Sequence, residues 1–384
     1  MENLVLVLKA VFLLLACIGA IYYIASTIAL VAHFQGSDKK SKHLEDLPAV
    51  SVLKPVCGLD SDAAINLRSF LDQDYPNYEV LFGVLDKGDE AVELIRSIED
   101  ESARAKVFIG SDIAGANNKV RILHNLLQHS TGEIIIVSDA ETRVTSDWLR
   151  RMVSEFCDSR VGGVTCMYRG VKPKGPADIL EGLYMTCVFA PGVACSRFLQ
   201  RIQFALGATT AVTRTALMKI GGFEPFANFL ADDYQLGYRI ANAGYDMVLS
   251  DYVVDIALSG EGLASVLERE LRWSRTTRIS RPAGHFGLIF TFGFAYAVSL
   301  SILAGFSKLA LSVLIGITII RLITALFASV VCLQEREIVK RIMLLPVRDL
   351  LCFWIWIASY CSNTIKWRGR SLHVRSDGTM IVAE

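Results

Sequence analysis

Apolar residues are spread unevenly along this chain. Residues 4–34 are almost uninterrupted apolar sequence, broken only by Lys9, and are long enough to cross a bilayer. The stretch lacks a small-residue cleavage site and exceeds the apolar core of a signal peptide, so it reads as a retained anchor. Residues 287–306, 309–333 and 342–365 are further spanning candidates, with Arg321 inside the second and Pro346, Arg348 and Asp349 near the start of the third. An arginine in lipid is costly, so Arg321 is expected to face a partner or water. Residues 177–204 are apolar with few charges and are interrupted by Pro191-Gly192. They read as a helix pair, either lying at the membrane surface or buried.

Between the ends, short β-branched runs alternate with amphipathic stretches. Strands are predicted near residues 50–54, 78–85, 106–109, 134–137 and 161–169, with helices at 62–71, 91–102 and from Asn117 to His129. Such alternation predicts a doubly wound, mostly parallel sheet. Ile134 to Val137 suit a strand buried on both faces, and Ser138-Asp139-Ala140-Glu141 follow at once. In open α/β sheets ligands bind at the carboxyl ends of the strands. Asp139 and Glu141 can hold one face of Mg²⁺, which takes one or two protein carboxylates and fills its shell with water and phosphates. The alternative is a plain turn leading to a helix capped by Asp147.

Other polar residues fall at similar junctions. Asp86 ends the second strand, or is an ordinary turn residue before Lys87-Gly88. Lys54 and Lys119 either face a nucleotide or are merely solvated. Asp232 and Asp233 stand where a helix begins; one of them is an N-cap, or the pair supplies a general base near the positive helix end. Arg269 and Arg272 share a helix face beside Trp273. They can grip a pyrophosphate bidentately or serve as salt-bridge decoration.

Composition narrows the class. The 384 residues carry 39 basic and 39 acidic side chains, so nothing suggests a nucleic-acid partner. The middle of the chain, roughly 250 residues, is large enough for its own core. Nine cysteines lie scattered without CxxC spacing and read as buried, reduced thiols. Lys39, Lys40 and Lys42 place the following domain in the cytoplasm by the positive-inside tendency. The expected organisation is an anchor at 1–35, a catalytic domain at 45–285, membrane segments at 286–366 and a basic, polar tail at 367–384. Alternation of spans puts that tail outside and its charges put it inside; a re-entrant or surface-lying last segment would reconcile the two.

Asp86, Ser138-Asp139-Ala-Glu141, Ala231-Asp232-Asp233-Tyr234 and Arg269-x-x-Arg272-Trp273, in this order between apolar segments, resemble the D, D-x-D, (E/D)D, (Q/R)xxRW set of membrane-bound family-2-type glycosyltransferases. Val52-Leu-Lys-Pro55, Asp74-Tyr-Pro76, Gly115-Ala-Asn-Asn-Lys119 and Trp367-Arg-Gly-Arg370 resemble ceramide glucosyltransferases and the bacterial enzymes that glycosylate hopanoids. The chain departs from those patterns in having Glu141 for a common Asp and Asp232 for a common Glu. It also lacks the His and Cys associated with animal ceramide enzymes before Gly207.

The resemblance implies a GT-A-like (Rossmann-like) sheet with transmembrane or interfacial helices at both ends. It implies an inverting enzyme of a bacterial inner membrane, its catalytic domain facing the cytoplasm. That enzyme would move a hexose from a UDP-sugar to the hydroxyl of a membrane lipid, ceramide-like or hopanoid, with Mg²⁺ or Mn²⁺. Asp86 and the lysines Lys54 and Lys119 would then meet the nucleotide, and Asp139 and Glu141 the metal diphosphate. Asp233 would be the base, and Arg269, Arg272 and Trp273 would hold the diphosphate and acceptor side. A processive polysaccharide synthase shares the motifs but needs more spans; a membrane scaffold shares the composition but has no use for the motifs.

Overall fold

The computed structural model describes residues 2–37, 47–60, 62–367 and 369–382. Lys39, Lys40 and Lys42 lie outside the described residues. The chain divides into two compact units, neither of them contiguous in sequence. One is built on a sheet and gathers residues 37–169, 200–259 and 367–384; the other is helical and gathers 1–36, 170–199 and 260–366. The expected consecutive blocks are therefore interleaved: the segment at 170–199 leaves the sheet unit and the polar tail rejoins it.

In the sheet unit the strands are β1 (Val50–Pro55), β2 (Tyr78–Val84), β3 (Ala105–Ile109), β4 (Ile134–Ser138), β5 (Thr142–Arg143), β6 (Val161–Val171), β7 (Thr209–Thr213) and β8 (Asp246–Ala257). Their order is β3-β2-β1-β4-β7-β6-β8-β5. β3, β2, β1 and β4 run parallel, with Val50 opposite both Tyr78 and Ile134. β7 pairs antiparallel with β4 and with β6, and β5 pairs antiparallel with β8. A parallel half therefore carries the alternating helices, and an antiparallel half closes the sheet. Every residue of β1 and of β4 is buried, as strands covered on both faces require. Phe70 and Trp148, both wholly buried, meet edge to face beneath the sheet with ring centres 5.1 Å apart.

The helical unit opens with the helix Glu2–Ser37. Residues Pro176–Leu199 form one continuous 24-residue helical run, so Pro191-Gly192 does not divide it into a pair. The reason is local. A proline removes one N–H and crowds the carbonyl four residues earlier. Here a π-turn at Met185–Phe189 shifts the register just ahead of Pro191, with Ala190 N–H donating to Met185 O. The carbonyl of Cys187, which Pro191 cannot serve, accepts instead from Arg321 Nη1 at 3.0 Å.

Lys308–Cys332 is a long apolar helix, as expected. Residues 287–306 are not a straight span: Pro282–Thr291 and Gly293–Leu303 meet at a 52° bend. Between the last two apolar segments lies a short helix, Arg336–Val339, capped by the Glu335 carboxylate. The last apolar segment ends its helix at Ser359, and Thr364–Trp367 form strand β9. None of the nine cysteines, all of them among the described residues, forms a disulfide, but Cys17, Cys57, Cys157 and Cys361 are exposed rather than buried.

Arg321 finds the partner its cost in lipid demands. Its guanidinium grips Asp349 through two 2.8 Å hydrogen bonds, both side chains being under one-tenth exposed. It also lies over the Tyr23 ring, 4.7 Å from the centre. Arg348, the neighbour of Asp349, grips Glu270 in the same way at 2.7 and 2.6 Å. Removing one member of a buried pair strands the other, at a cost of about 3–5 kcal/mol. Asp349→Ala should therefore markedly lower the thermal midpoint of detergent-extracted protein. Joint replacement, Arg321→Met with Asp349→Leu, should recover most of the loss in the same melting experiment.

Candidate functional site

β1, β2 and β4 run parallel, so their carboxyl ends share one sheet edge. Asp139 follows β4 directly, and its N–H donates to Ala208 O at 3.1 Å. That bond exists because β7 pairs antiparallel with β4, setting Ser138 opposite Thr209. Ala208 and Gly207 thus stand beside the acidic turn. The turn is tightened from within by Thr142, whose Oγ1 donates to Asp139 O at 2.6 Å.

Lys54, at the end of β1, supports the turn from beneath. It is wholly buried, donates to Asp139 O and, at 3.0 Å, to Thr142 Oγ1, and lies 3.8 Å above the Phe70 ring. Burial draws its ammonium down to about 7 against the pull of Asp139 and Glu141. The solvated alternative for Lys54 does not hold, because β1 is covered on both faces and every residue in it is buried.

A second group comes from the segment Gly115 to Lys119. Asn117 caps the helix Asn118–His129, its side chain accepting from Val120 N–H at 3.2 Å. Its Nδ2 donates to Phe229 O at 2.8 Å and to Asp232 Oδ1 at 3.2 Å. Lys119 reaches Asp139 Oδ1 at 2.6 Å and Asp232 Oδ2 at 3.6 Å. Gly115 is required by close approach: a Cβ there would stand 2.4 Å from Ala227 O.

Asp232 and Asp233 are the first two residues of the helix Asp232–Asn242. Neither is its N-cap, since that position is Ala231 and no side chain caps the helix. Asp232 falls one residue too late to cap and is turned to Asn117 and Lys119. Asp233 accepts from Tyr234 N–H through Oδ1 at 2.7 Å. A Cβ on Gly207 would lie 3.0 Å from Asp233 Oδ2 and 3.9 Å from Asp139 Oδ2. The missing side chain of Gly207 therefore leaves a notch faced by both carboxylates, in a cleft also lined by Lys119, Thr210 and Phe226.

The electrostatics follow from crowding. Burial, with Glu141 nearby and Lys119 opposing, lifts the Asp139 carboxyl to about 6. Burial and Asp232 lift Asp233 to about 6. Desolvation would lower Lys119, but Asp139, Asp232 and Asp233 outweigh it and hold its ammonium above the ordinary value. Four carboxylates against two ammonium groups leave negative charge uncompensated. Among the described residues no group of three or more His, Cys, Asp or Glu side chains is arranged to hold an ion. Asp139 beside the open notch, with Glu141 near enough to raise its carboxyl, nonetheless suits a hard divalent cation that brings its own water and phosphate ligands.

Asp86 stands at the same edge, exposed, and accepts from Gly88 N–H at 2.9 Å, the contact of a turn residue. Asp89 escaped the sequence reading. It accepts from Gly58 N–H at 3.0 and 3.1 Å and so ties the loop after β1 to the loop after β2. Asn117 and Gly207 were also missed as site residues, although a helix-opening Asn and a glycine just before a strand were visible.

Arg269, Arg272 and Trp273 lie on the helix Leu263–Ser280 of the helical unit. Arg269 spends its fork on Glu181, at 2.9 and 2.8 Å, and on Glu261 at 2.9 Å. It is thus salt-bridged, as the second of its two sequence readings has it. Trp273 stacks on Tyr184 with ring centres 6.2 Å apart.

A half-parallel, half-antiparallel sheet of this order, with acids at the carboxyl edge of its central strand, is the GT-A architecture of sugar transferases. Residues 11–380 match the model of glycosyl transferase family 21, and the chain belongs to that family. It is 25% identical over 389 residues to ceramide glucosyltransferase 3 of Caenorhabditis elegans, spanning 96% of this chain and 83% of that one. It is 26% identical over 274 residues to the beta-monoglucosyldiacylglycerol synthase of Trichormus variabilis, covering 67% and 56%. Among solved structures, the mannosyltransferase PcManGT of Pyrobaculum calidifontis, in complex with GDP-Man and Mn²⁺, superposes with a TM-score of 0.53 at 18% identity, over 90% of this chain and 99% of that one. At that identity the likeness is one of fold.

Gly207→Ala tests the notch. The added methyl must displace the Asp233 carboxylate, while the fold has no other reason to change. Sugar transfer should fall by at least about tenfold, as small misplacements of reacting groups do, with the melting temperature nearly unaltered. Steady-state rates and thermal melts on one preparation read both.

Proposed function

We propose that this glycosyltransferase moves a hexose from a UDP-sugar to the hydroxyl of a membrane lipid with inversion at the anomeric carbon. The observation that supports this most is the meeting of Asp139 and Asp233 at the Gly207 notch, one acid from a strand end and the other from a helix start. The ceramide and diacylglycerol acceptors named for the relatives favour a lipid, as do the four helices among the described residues that are long and apolar enough to cross a membrane. A bacterial inner membrane with the sheet unit facing the cytoplasm is the setting in which UDP-sugars are at hand.

On this reading Asp139 and Glu141 would hold a divalent cation, Mg²⁺ or Mn²⁺, which when bound neutralises charge developing on the leaving diphosphate. Lys119 adds a fixed positive charge on the same side, already oriented by Asp139 and Asp232. Lys54 keeps the acidic turn in place from below. Asp86 meets the nucleoside. The acceptor oxygen attacks the anomeric carbon as the bond to the phosphate oxygen breaks, and its proton passes to Asp233. Direct displacement of this kind inverts the carbon. Arg272 and Trp273 serve the diphosphate and acceptor side, and Arg269 joins them by exchanging a carboxylate for a phosphate.

Two experiments bear on the reading. Asp139→Ala should abolish transfer and weaken Mn²⁺-dependent UDP binding by at least about 10–100-fold, the range for outer contacts of a metal site; unchanged binding would remove the metal assignment. Separately, Asp233→Asn should fold and bind the donor yet transfer about 10²–10⁴ times more slowly, whereas Asp232→Asn should keep substantially more activity. Single-turnover transfer beside donor affinity reads both variants. The reverse order of activities would exchange the roles of the two acids, and two active variants would place the base elsewhere.

A further inference from the structure

The end of the chain is gathered into the sheet unit by a hairpin. β10 (Arg370–Val374) and β11 (Met380–Val382) pair antiparallel, with His373 opposite Ile381 and Val374 opposite Met380. The turn is closed by Arg375 N–H on Thr379 O at 2.8 Å. The Asp377 carboxylate accepts from Thr379 N–H at 2.9 Å and from its Oγ1 at 2.7 Å. Leu372, Val374 and Met380 are buried, so apolar packing anchors the hairpin.

In an antiparallel pair only every second residue turns its N–H and C=O toward the partner strand. Met380 belongs to the other set. Its N–H points away from β10 and donates to Asn228 O at 2.7 Å. Leu230 N–H donates back to Gly378 O at 3.2 Å, and Phe229 forms an antiparallel bridge with Thr379. Residues 228–230 are thus laid on the outer side of β11 through a single antiparallel bridge.

That stretch delivers the acid pair two residues later. It is also stitched to the segment that carries Lys119. Ala116 N–H donates to Asn228 Oδ1 at 3.0 Å, and Asn117 N–H donates to Ala227 O at 2.9 Å. Asn117 Nδ2 bridges Phe229 O and Asp232 Oδ1. A continuous set of hydrogen bonds therefore runs from Gly378–Met380 through Asn228–Leu230 and Asn117 to Asp232.

We propose that the C-terminal hairpin is a positioning element for sugar transfer: by splinting residues 228–230 it sets the register in which the helix bearing Asp232 and Asp233 begins. The proposal rests on the reading of that pair as the site of proton removal. Without the splint, 227–231 is a loop joined to the Lys119 segment only through Ala116 and Asn117, and a shift of an ångström there misaligns the base.

The test uses the full chain carrying Met380→Pro. This removes the outward N–H and leaves the hydrogen-bonding residues of the hairpin their own bonds. Three quantities are measured: kcat and the donor KM for transfer, and hydrogen–deuterium exchange of the peptide spanning 226–234. Faster exchange in that peptide, with kcat down about 10–100-fold and donor KM within about twofold, is the expected result. A purely stabilising tail would lower the melting temperature but leave kcat per folded enzyme unchanged, and that outcome overturns the proposal. Loss of kcat with unchanged exchange at 226–234 overturns it equally. Should Met380→Pro fail to accumulate, Asp377→Ala, which removes the carboxylate holding Thr379 N–H and Oγ1 in the hairpin turn, is read by the same measurements with a smaller fall expected. The exchange arm does not depend on which residue is the base, so it fails or succeeds apart from the Asp233 assignment.

Discussion

The ion pair between Lys119 and Asp139, at 2.6 Å, is the contact on which the arrangement of the site depends. Asp139, Glu141, Asp232 and Asp233 crowd one sheet edge, and like charges in a partly dehydrated cleft repel strongly. Lys119 binds an acid from β4 and an acid from a distant helix start at once, and so lets two segments of like charge share the notch beside Gly207. Asn117 fixes where the lysine stands, because capping the helix Asn118–His129 sets the position of its first turn. Charge and capping, together with the backbone bonds of Asp139 to Ala208 and Asn117 to Ala227, make a compact site from three loops.

Much of this was legible before any coordinates. A run of β-branched residues halted by Ser138-Asp139 identifies a buried strand and the acid at its end, and the structure has both. The helix opening at Asn117 is equally plain from a capping residue followed by an amphipathic run. The antiparallel half of the sheet was not legible, since a β-branched run at 161–169 or 209–213 looks the same in either direction. Lys54 kept two sequence readings, nucleotide-facing or solvated, because nothing in the pattern shows that it is buried under Asp139 in a strand covered on both faces. Arg269 offered two readings because its partner Glu181 lies 88 positions away, a distance at which sequence pattern carries no information. The hairpin at 370–382 was equally hidden, for its partners are the backbone groups of residues 228–230.

The helical unit obeys a different economy. In an apolar setting a charge is tolerable only when its partner is built in, and here one member of each of two pairs sits side by side in sequence: Arg348 turns to Glu270 while Asp349 turns to Arg321. One short stretch of the last apolar helix thereby locks two other helices. Bidentate pairing suits the task, because a guanidinium fork and a carboxylate fix orientation as well as distance. The same Arg321 also takes up the carbonyl freed by Pro191, so the proline that should have broken a helix becomes a point of attachment.

The return of the tail to the sheet unit has a consequence for how the chain is threaded through a bilayer. Residues 37–169, 200–259 and 367–384 belong to one compact unit, so all three stretches occupy the same side of any membrane the helices enter. Every excursion from that unit must then end where it began. The helix Pro176–Leu199 has both ends leading back into the unit and makes no net crossing, despite its length and composition. Between residues 260 and 366 there are three apolar candidates, counting the bent pair as one. An odd number of passages cannot return the chain to the same side, so not all three of them cross. Parity alone, set by a few backbone hydrogen bonds at the far end of the chain, thus decides what hydropathy could not.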